Sequence, residues 1–179
     1  MKLPPPPRPP SSGDLPFAIL GFDPAGAFGW CVLNLAGARL ESGTWKLKCT
    51  PQQGGGFRLL QLRTNLMSLI ERTRKTHRIA LIAYEYSVNL KGRVAAKVSG
   101  EYEGQVKVCA EEAAIPFTSV TYSDVKRAAT GKGSASKAVM VEAADLHWAD
   151  RKVVDDNEAD ACWTAEAARK AYGKGMVGP

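Results

Sequence analysis

An apolar run from Phe17 to Phe22 stops at a single acid, Asp23, and Pro24, Ala25 and Gly26 follow at once. A second apolar run extends from Phe28 to Leu35. Short, continuously apolar stretches bounded by turn formers predict buried strands. Arg39 to Lys46 predicts a third strand, joined to the second as a hairpin through Ala36-Gly37. Thr50 to Gly56 reads as a glycine-rich loop. Leu59, Leu62, Leu66, Leu69 and Ile70 then recur at helical spacing through Arg74. Ile79 to Tyr84 (IALIAY) predicts another buried strand, and it too ends in an acid, Glu85.

Beyond it, Ser87 to Gly92 reads as a loop and Val94 to Ala114 as mostly helix. Val94, Val98, Tyr102, Val106 and Ala110 recur on one side of that helix, which faces either the sheet or a second copy of the chain. Pro116 to Val120 predicts a short strand. Helical pieces follow at Val125 to Ala129 and Lys137 to Ala149, and a last helix from Asp156 to Tyr172 that Gly173 ends. A strand hairpin followed by alternating helices and strands predicts an α/β domain, a mixed sheet flanked by helices. That domain spans residues 15–173, between a disordered proline-rich tail over 1–14 and a flexible end over 174–179.

Composition narrows the picture. The 179 residues are 45% hydrophobic, enough for one domain with a core. A net charge of +6 favours a polyanionic partner such as nucleic acid, although charge alone is a weak argument. Cys31, Cys49, Cys109 and Cys162 form no Cys-x-x-Cys pair, and His77 and His147 are the only histidines. A structural zinc site is therefore not expected, and the thiols read as free in a reducing cytoplasm. There is no apolar stretch long enough for a membrane span, and MKLPPPPRPPSSGD has no apolar core and is no signal peptide.

Why would a buried strand carry a carboxylate at its C-terminal end? An Asp-Pro step often caps a turn, and the rim of an α/β sheet is also where ligands gather. Asp23 by itself leaves both open. Glu85 repeats the pattern, and Asp155-Asp156-Asn157-Glu158-Ala159-Asp160 opens the last helix. Asp156 and Asp160 share a face of that helix, and Asn157 approaches Asp160 from the other side. Converging carboxylates repel unless cations neutralise them, and hard oxygen donors suit Mg²⁺ or Mn²⁺. Two such ions about 4 Å apart activate a water and stabilise the leaving oxygen of a phosphodiester. Each acid also has a plain structural alternative. Glu85 could pair with Arg78, and Asp155 with Glu158 fits a helix capping box.

The loop Gly131-Lys132-Gly133-Ser134-Ala135-Ser136-Lys137 superficially resembles a nucleotide phosphate loop. Ser136 stands where the second glycine belongs, Ala138 follows the lysine, and a helix rather than a strand precedes it, so no nucleotide cofactor is expected. A cationic loop opening a helix suits DNA phosphates, or is a solvated turn.

GFDPAGAFGW, IAYE, SDVKRAATGKGSASKAVMVEAA and DDNEADA together resemble the RuvC-type Holliday junction resolvases, closest to the variants carried by bacteriophages. The resemblance spans Ile19 to Ala168. It implies an RNase H-like fold, a homodimer, and cleavage of four-way DNA junctions with two divalent ions, Mg²⁺ or Mn²⁺. It places Asp23 and Glu85 on the first two metal-binding acids and Asp160 on the last. Lys126 and Lys137 fall on two lysines that serve DNA binding and catalysis, and Lys132 lies between them. The fourth ligand's place, three residues before Asp160, is held by Asn157. Alignment therefore favours Asn157 as the fourth ligand, whereas charge favours Asp156 beside it. An aromatic wedge that follows the Glu in cellular members is Val88 here, with Tyr86 closer to Glu85. This reading makes Asp23, Glu85, Asp156, Asp160 and Lys137 catalytic and gives Lys126, Lys132 and Lys137 to DNA, the product being paired symmetric nicks. Its rivals are a nuclease on forks, flaps or RNA–DNA hybrids, an actin-like ATPase and an inactive junction-binding module.

Overall fold

Six of the seven residues of Phe17–Asp23 (β1) are buried, which places this strand inside the sheet with both faces covered. The computed structural model describes residues 15–50, 52–86 and 92–174. Along the chain, β1 is followed by Phe28–Asn34 (β2), Arg39–Trp45 (β3), Gly54–Arg74 (α1) and Arg78–Tyr86 (β4). Arg93–Glu112 (α2), Phe117–Thr121 (β5), Tyr122–Thr130 (α3), Lys137–His147 (α4) and Asp156–Tyr172 (α5) complete it. The five strands lie in the order β3-β2-β1-β4-β5. β2 pairs antiparallel with β1 and β3, while β4 pairs parallel with β1 and β5. This is the mixed sheet flanked by helices that the pattern predicts.

Side-chain alternation divides the apolar residues between two layers. Leu20, Phe22, Phe28 and Val32 meet Leu62 and Leu66 of α1 and Tyr102 and Val106 of α2 on one face. Ile19, Cys31, Leu33 and Ala83 meet Val125 of α3, Met140 of α4 and Ala161, Cys162 and Ala165 of α5 on the other. Phe22 of β1 is in register with Tyr84 of β4. Asp23 and Glu85, one residue further on, therefore reach the same sheet edge and turn toward the α5 side.

α5 is pressed against the sheet at two glycines. A Cβ on Gly29 would lie 2.0 Å from the Asn157 carbonyl oxygen, and one on Gly21 would lie 2.5 Å from the Ala161 carbonyl oxygen. Only glycine admits backbone that close.

Two expectations need correction. The predicted loop from Thr50 to Gly56 is shorter, because α1 begins at Gly54. The Thr50 amide donates to Gln53 Oε1 at 2.9 Å and the Gln53 amide to Thr50 Oγ1 at 3.3 Å, a closed turn that launches the helix early. The apolar stripe of α2 does not stay on one side. Tyr102, Val106 and Ala110 are buried in the core, whereas Val94 is 78% exposed. Four-residue steps drift about 40° each around a helix, so Val94 points roughly 160° from Ala110. Of the two alternatives for that stripe, its inner part faces the sheet.

The predicted tail over 1–14, Val88 and most of its loop, and residues 175–179 lie outside the described residues. Among the described residues, no helix is long and apolar enough to cross a membrane.

Candidate active site

Asp23, the last residue of β1, and Glu85, the last but one of β4, are 6% and 5% exposed at the C-terminal ends of two adjacent parallel strands. α5 brings the third acid, Asp160, against them. Its first turn is fixed by groups on β3. The N-cap Asp155 accepts from the Glu158 amide at 2.9 Å and from Thr44 Oγ1 at 2.6 Å. Glu158, with no exposure, accepts from Ser42 Oγ at 2.6 Å, the Val154 amide at 2.6 Å and Arg151 Nη2 at 2.5 Å. The expected capping box is thus half formed, since the Glu158 carboxylate turns to Val154 and β3 instead of to Asp155. Nothing in the sequence around Glu158 signals those partners.

The acids perturb one another. Burial, then the charges of Glu85 and Asp160, push Asp23 well above the usual carboxylate range. Burial and Asp160 raise Glu85 to about 8, against the pull of Lys126 and Lys137. Burial raises Asp160 to about 6, with Lys137 and Lys126 opposing and Asp156 adding to the shift. Four carboxylates and two lysines therefore form one electrostatic cluster. Arg78 takes no part. Its guanidinium lies 4.8 Å from the Phe17 ring at the opposite end of β4, which removes the ion pair considered for Glu85.

The three lysines have different surroundings. Lys126 is 9% exposed, with Nζ 4.0 Å from the centre of the Tyr122 ring. Lys137, the first residue of α4, forms an ion pair with Asp156 Oδ2. Lys132 stands on the exposed turn between α3 and α4. Asn157 is half-buried, its backbone over Gly29, and Tyr86 is 44% exposed one residue beyond Glu85.

Divalent-cation chemistry can be tested against this arrangement. Among the described residues, no three His, Cys, Asp or Glu side chains already form a closed ligand group. The donors nevertheless fit a hard cation. They are all oxygen, Asp23 and Glu85 are buried beside the half-buried Asp160 at the cost of mutual repulsion, and Glu85 Oε2 is buried without a hydrogen-bond partner. A cation would relieve each of these penalties.

The mixed sheet in the order β3-β2-β1-β4-β5, flanked by helices, gathers the acids of β1, β4 and α5 at one end. RuvC of Thermus thermophilus in complex with a Holliday junction substrate superposes with a TM-score of 0.76 at 21% identity, over 90% of this chain and 98% of that one. A second structure of the same RuvC gives 0.74 at 21% identity, over 90% and 99%. The yeast mitochondrial Holliday junction resolvase Ydc2 gives 0.55 at 14%, over 89% and 80%. No family model matches the chain. The crossover junction endodeoxyribonuclease RuvC of Magnetococcus marinus is 30% identical over 131 residues, 71% of this chain and 69% of that protein. The chain belongs to the RuvC family of crossover junction endodeoxyribonucleases.

Proposed function

We propose that this protein is a divalent-metal-dependent endodeoxyribonuclease that resolves Holliday junctions by paired, symmetric nicks. The observation that carries the reading is the burial of Asp23 and Glu85 at one sheet edge beside Asp160, with Glu85 Oε2 left unpartnered. A structural role would satisfy that oxygen. Asp23, Glu85 and Asp160 would hold Mg²⁺, or Mn²⁺ in its place, at two ions per site, with Asn157 and Asp156 as neighbouring oxygen donors. When bound, the ions supply the positive charge that eases ionisation of an attacking water and stabilises the leaving oxygen.

The other roles follow from placement. Lys126, buried beneath Tyr122, keeps a fixed positive charge beside Glu85 and Asp160, where charge develops during phosphodiester hydrolysis. Lys132 and Lys137 are exposed and can reach backbone phosphates. Two symmetric incisions need two sites related by a two-fold axis, so the working form is a closed homodimer. The compartment is the cytoplasm of a bacterium or of a phage-infected host.

The deciding experiment incubates the protein with labelled four-way junction, fork, flap, duplex and RNA–DNA hybrid, with and without Mg²⁺. Paired nicks confined to the junction and dependent on Mg²⁺ are expected. Asp23→Asn should still bind junction and fail to cut. Preferred cleavage of forks or hybrids would replace the junction reading, and cleavage in excess chelator would remove the metal. Light scattering of the junction complex should show two protein chains.

A further inference from the structure

Four carboxylates crowd the end of the sheet, and the structure already contains a cation among them. Lys137 Nζ is paired with Asp156 Oδ2. Its charge is also felt by Asp23, Glu85 and Asp160, which it pulls back toward ordinary acidity. Lys126 is the other cation acting on Glu85 and Asp160, but it is 9% exposed and locked beneath the Tyr122 ring. The Lys137 side chain is 73% exposed and opens α4 after the glycine-broken turn at 131–133. Of the two, only Lys137 can leave without unpacking the core.

From this placement we infer that Lys137 serves as the carboxylate cluster's own counter-ion in the free protein, and that a DNA phosphate draws it away, so that branched DNA and divalent cation bind cooperatively. The inference rests on the metal-dependent reading above and assigns Lys137 and Asp156 a part beyond it. A lysine ammonium on a flexible four-carbon stem exchanges one anion for another easily, and an exposed ion pair holds it only weakly. Once Lys137 turns to a phosphate, Asp156 loses its partner and the cluster loses one compensating positive charge. The negative charge so uncovered is what a divalent cation binds. Linkage makes the effect reciprocal, so metal also tightens DNA. The free enzyme is thereby poorly loaded, and loading follows arrival of the substrate.

The test is calorimetric titration of the full chain with Mn²⁺, alone and bound to a junction whose crossover linkages are phosphorothioate. Without DNA, Lys137→Ala should bind Mn²⁺ roughly two- to fivefold more tightly than wild type, the range expected for loss of one exposed ion pair. Wild-type affinity should rise by a similar factor on the junction, and that of Lys137→Ala should not. Lys137→Arg should restore the wild-type pattern. Unchanged or weaker Mn²⁺ binding by free Lys137→Ala would overturn the inference while leaving the metal reading intact. Absence of Mn²⁺ binding to wild type with and without junction would remove both.

Discussion

Lys126 and Lys137 come from one basic segment, yet they approach the carboxylates from opposite conditions. Lys126 is 9% exposed against an aromatic ring, where its charge is held in place. Lys137 keeps a side chain 73% exposed. Counterion release accompanies only contacts that reach the phosphate backbone. Lys132→Ala and Lys137→Ala should therefore each lower the log–log salt slope of junction binding by about one. Lys126→Ala should leave the slope unchanged and depress the cleavage rate at saturating junction. A slope change for Lys126→Ala would show that its burial opens on binding. At this scale Asp23, Glu85 and Asp160 were legible, because each acid interrupts an apolar run or recurs on a helix face. The Asp156–Lys137 pair was not. Its members lie on different helices, and no local pattern says which acid a distant lysine will choose.

Among the elements, α5 sets the site. It carries Asp156, Asn157 and Asp160, and its distance from β1 and β2 is fixed by Gly21 and Gly29. The Asn157 carbonyl opposite Gly29 is backbone, so an added methyl group cannot be relieved by a rotamer change. Gly29→Ala should cost about 1–3 kcal/mol, as overpacking does. It should also shift the first turn of α5 and lower cleavage far more than junction binding. Urea unfolding and a parallel binding and cleavage assay would check both. Alanine tolerated with full activity would mean that α5 slides freely on the sheet. The start and end of α5 were readable from Asp155 and Gly173, since capping is a local matter. The two glycines read only as members of apolar strands, because their purpose lies across the sheet in a helix more than a hundred residues away. Helix drift, not burial alone, undid the single-sided reading of α2.

For the molecule as a whole, the clustered acids make stability depend on pH. An unfolded glutamate titrates near its ordinary value of 4.5, whereas Glu85 in the folded protein holds its proton up to about 8. Between those values the folded state binds more protons than the unfolded state, so stability falls as pH rises through the window. Asp160, raised to about 6, and Asp23, raised well above the usual range, act in the same direction. Glu166 runs the other way. Burial raises it, but Arg169 and Lys170 outweigh that and hold it low, so its contribution disappears only in acid below the ordinary carboxylate range. In chelator, the melting temperature should drop between about pH 5 and about pH 8. Mg²⁺ should recover the loss at the upper end by binding the folded state alone. Glu85→Gln should flatten the curve and blunt the Mg²⁺ effect, as differential scanning calorimetry would show. A flat profile for wild type would mean that the carboxylates are well solvated. The order of elements along the chain was legible from apolar runs, the turn formers that bound them and helical spacing. The position of β1 at the centre of the sheet was not, because strand neighbours depend on which distant faces must be covered.

The glycine contacts beneath α5 also bear on which parts of the molecule open first. Backbone that rests directly on backbone leaves no side chain to move aside, so the first turns of α5 separate from β1 and β2 only when the sheet itself comes apart. Amide hydrogens over 159–165 and over β1 should consequently exchange with solvent at the slowest, global rate. Those at the start of α2, where Val94 is 78% exposed, should exchange through small local openings. Hydrogen–deuterium exchange resolved by residue would separate the two classes. The carboxylates then sit in the last part of the protein to open, and heat or denaturant should remove them together with the fold.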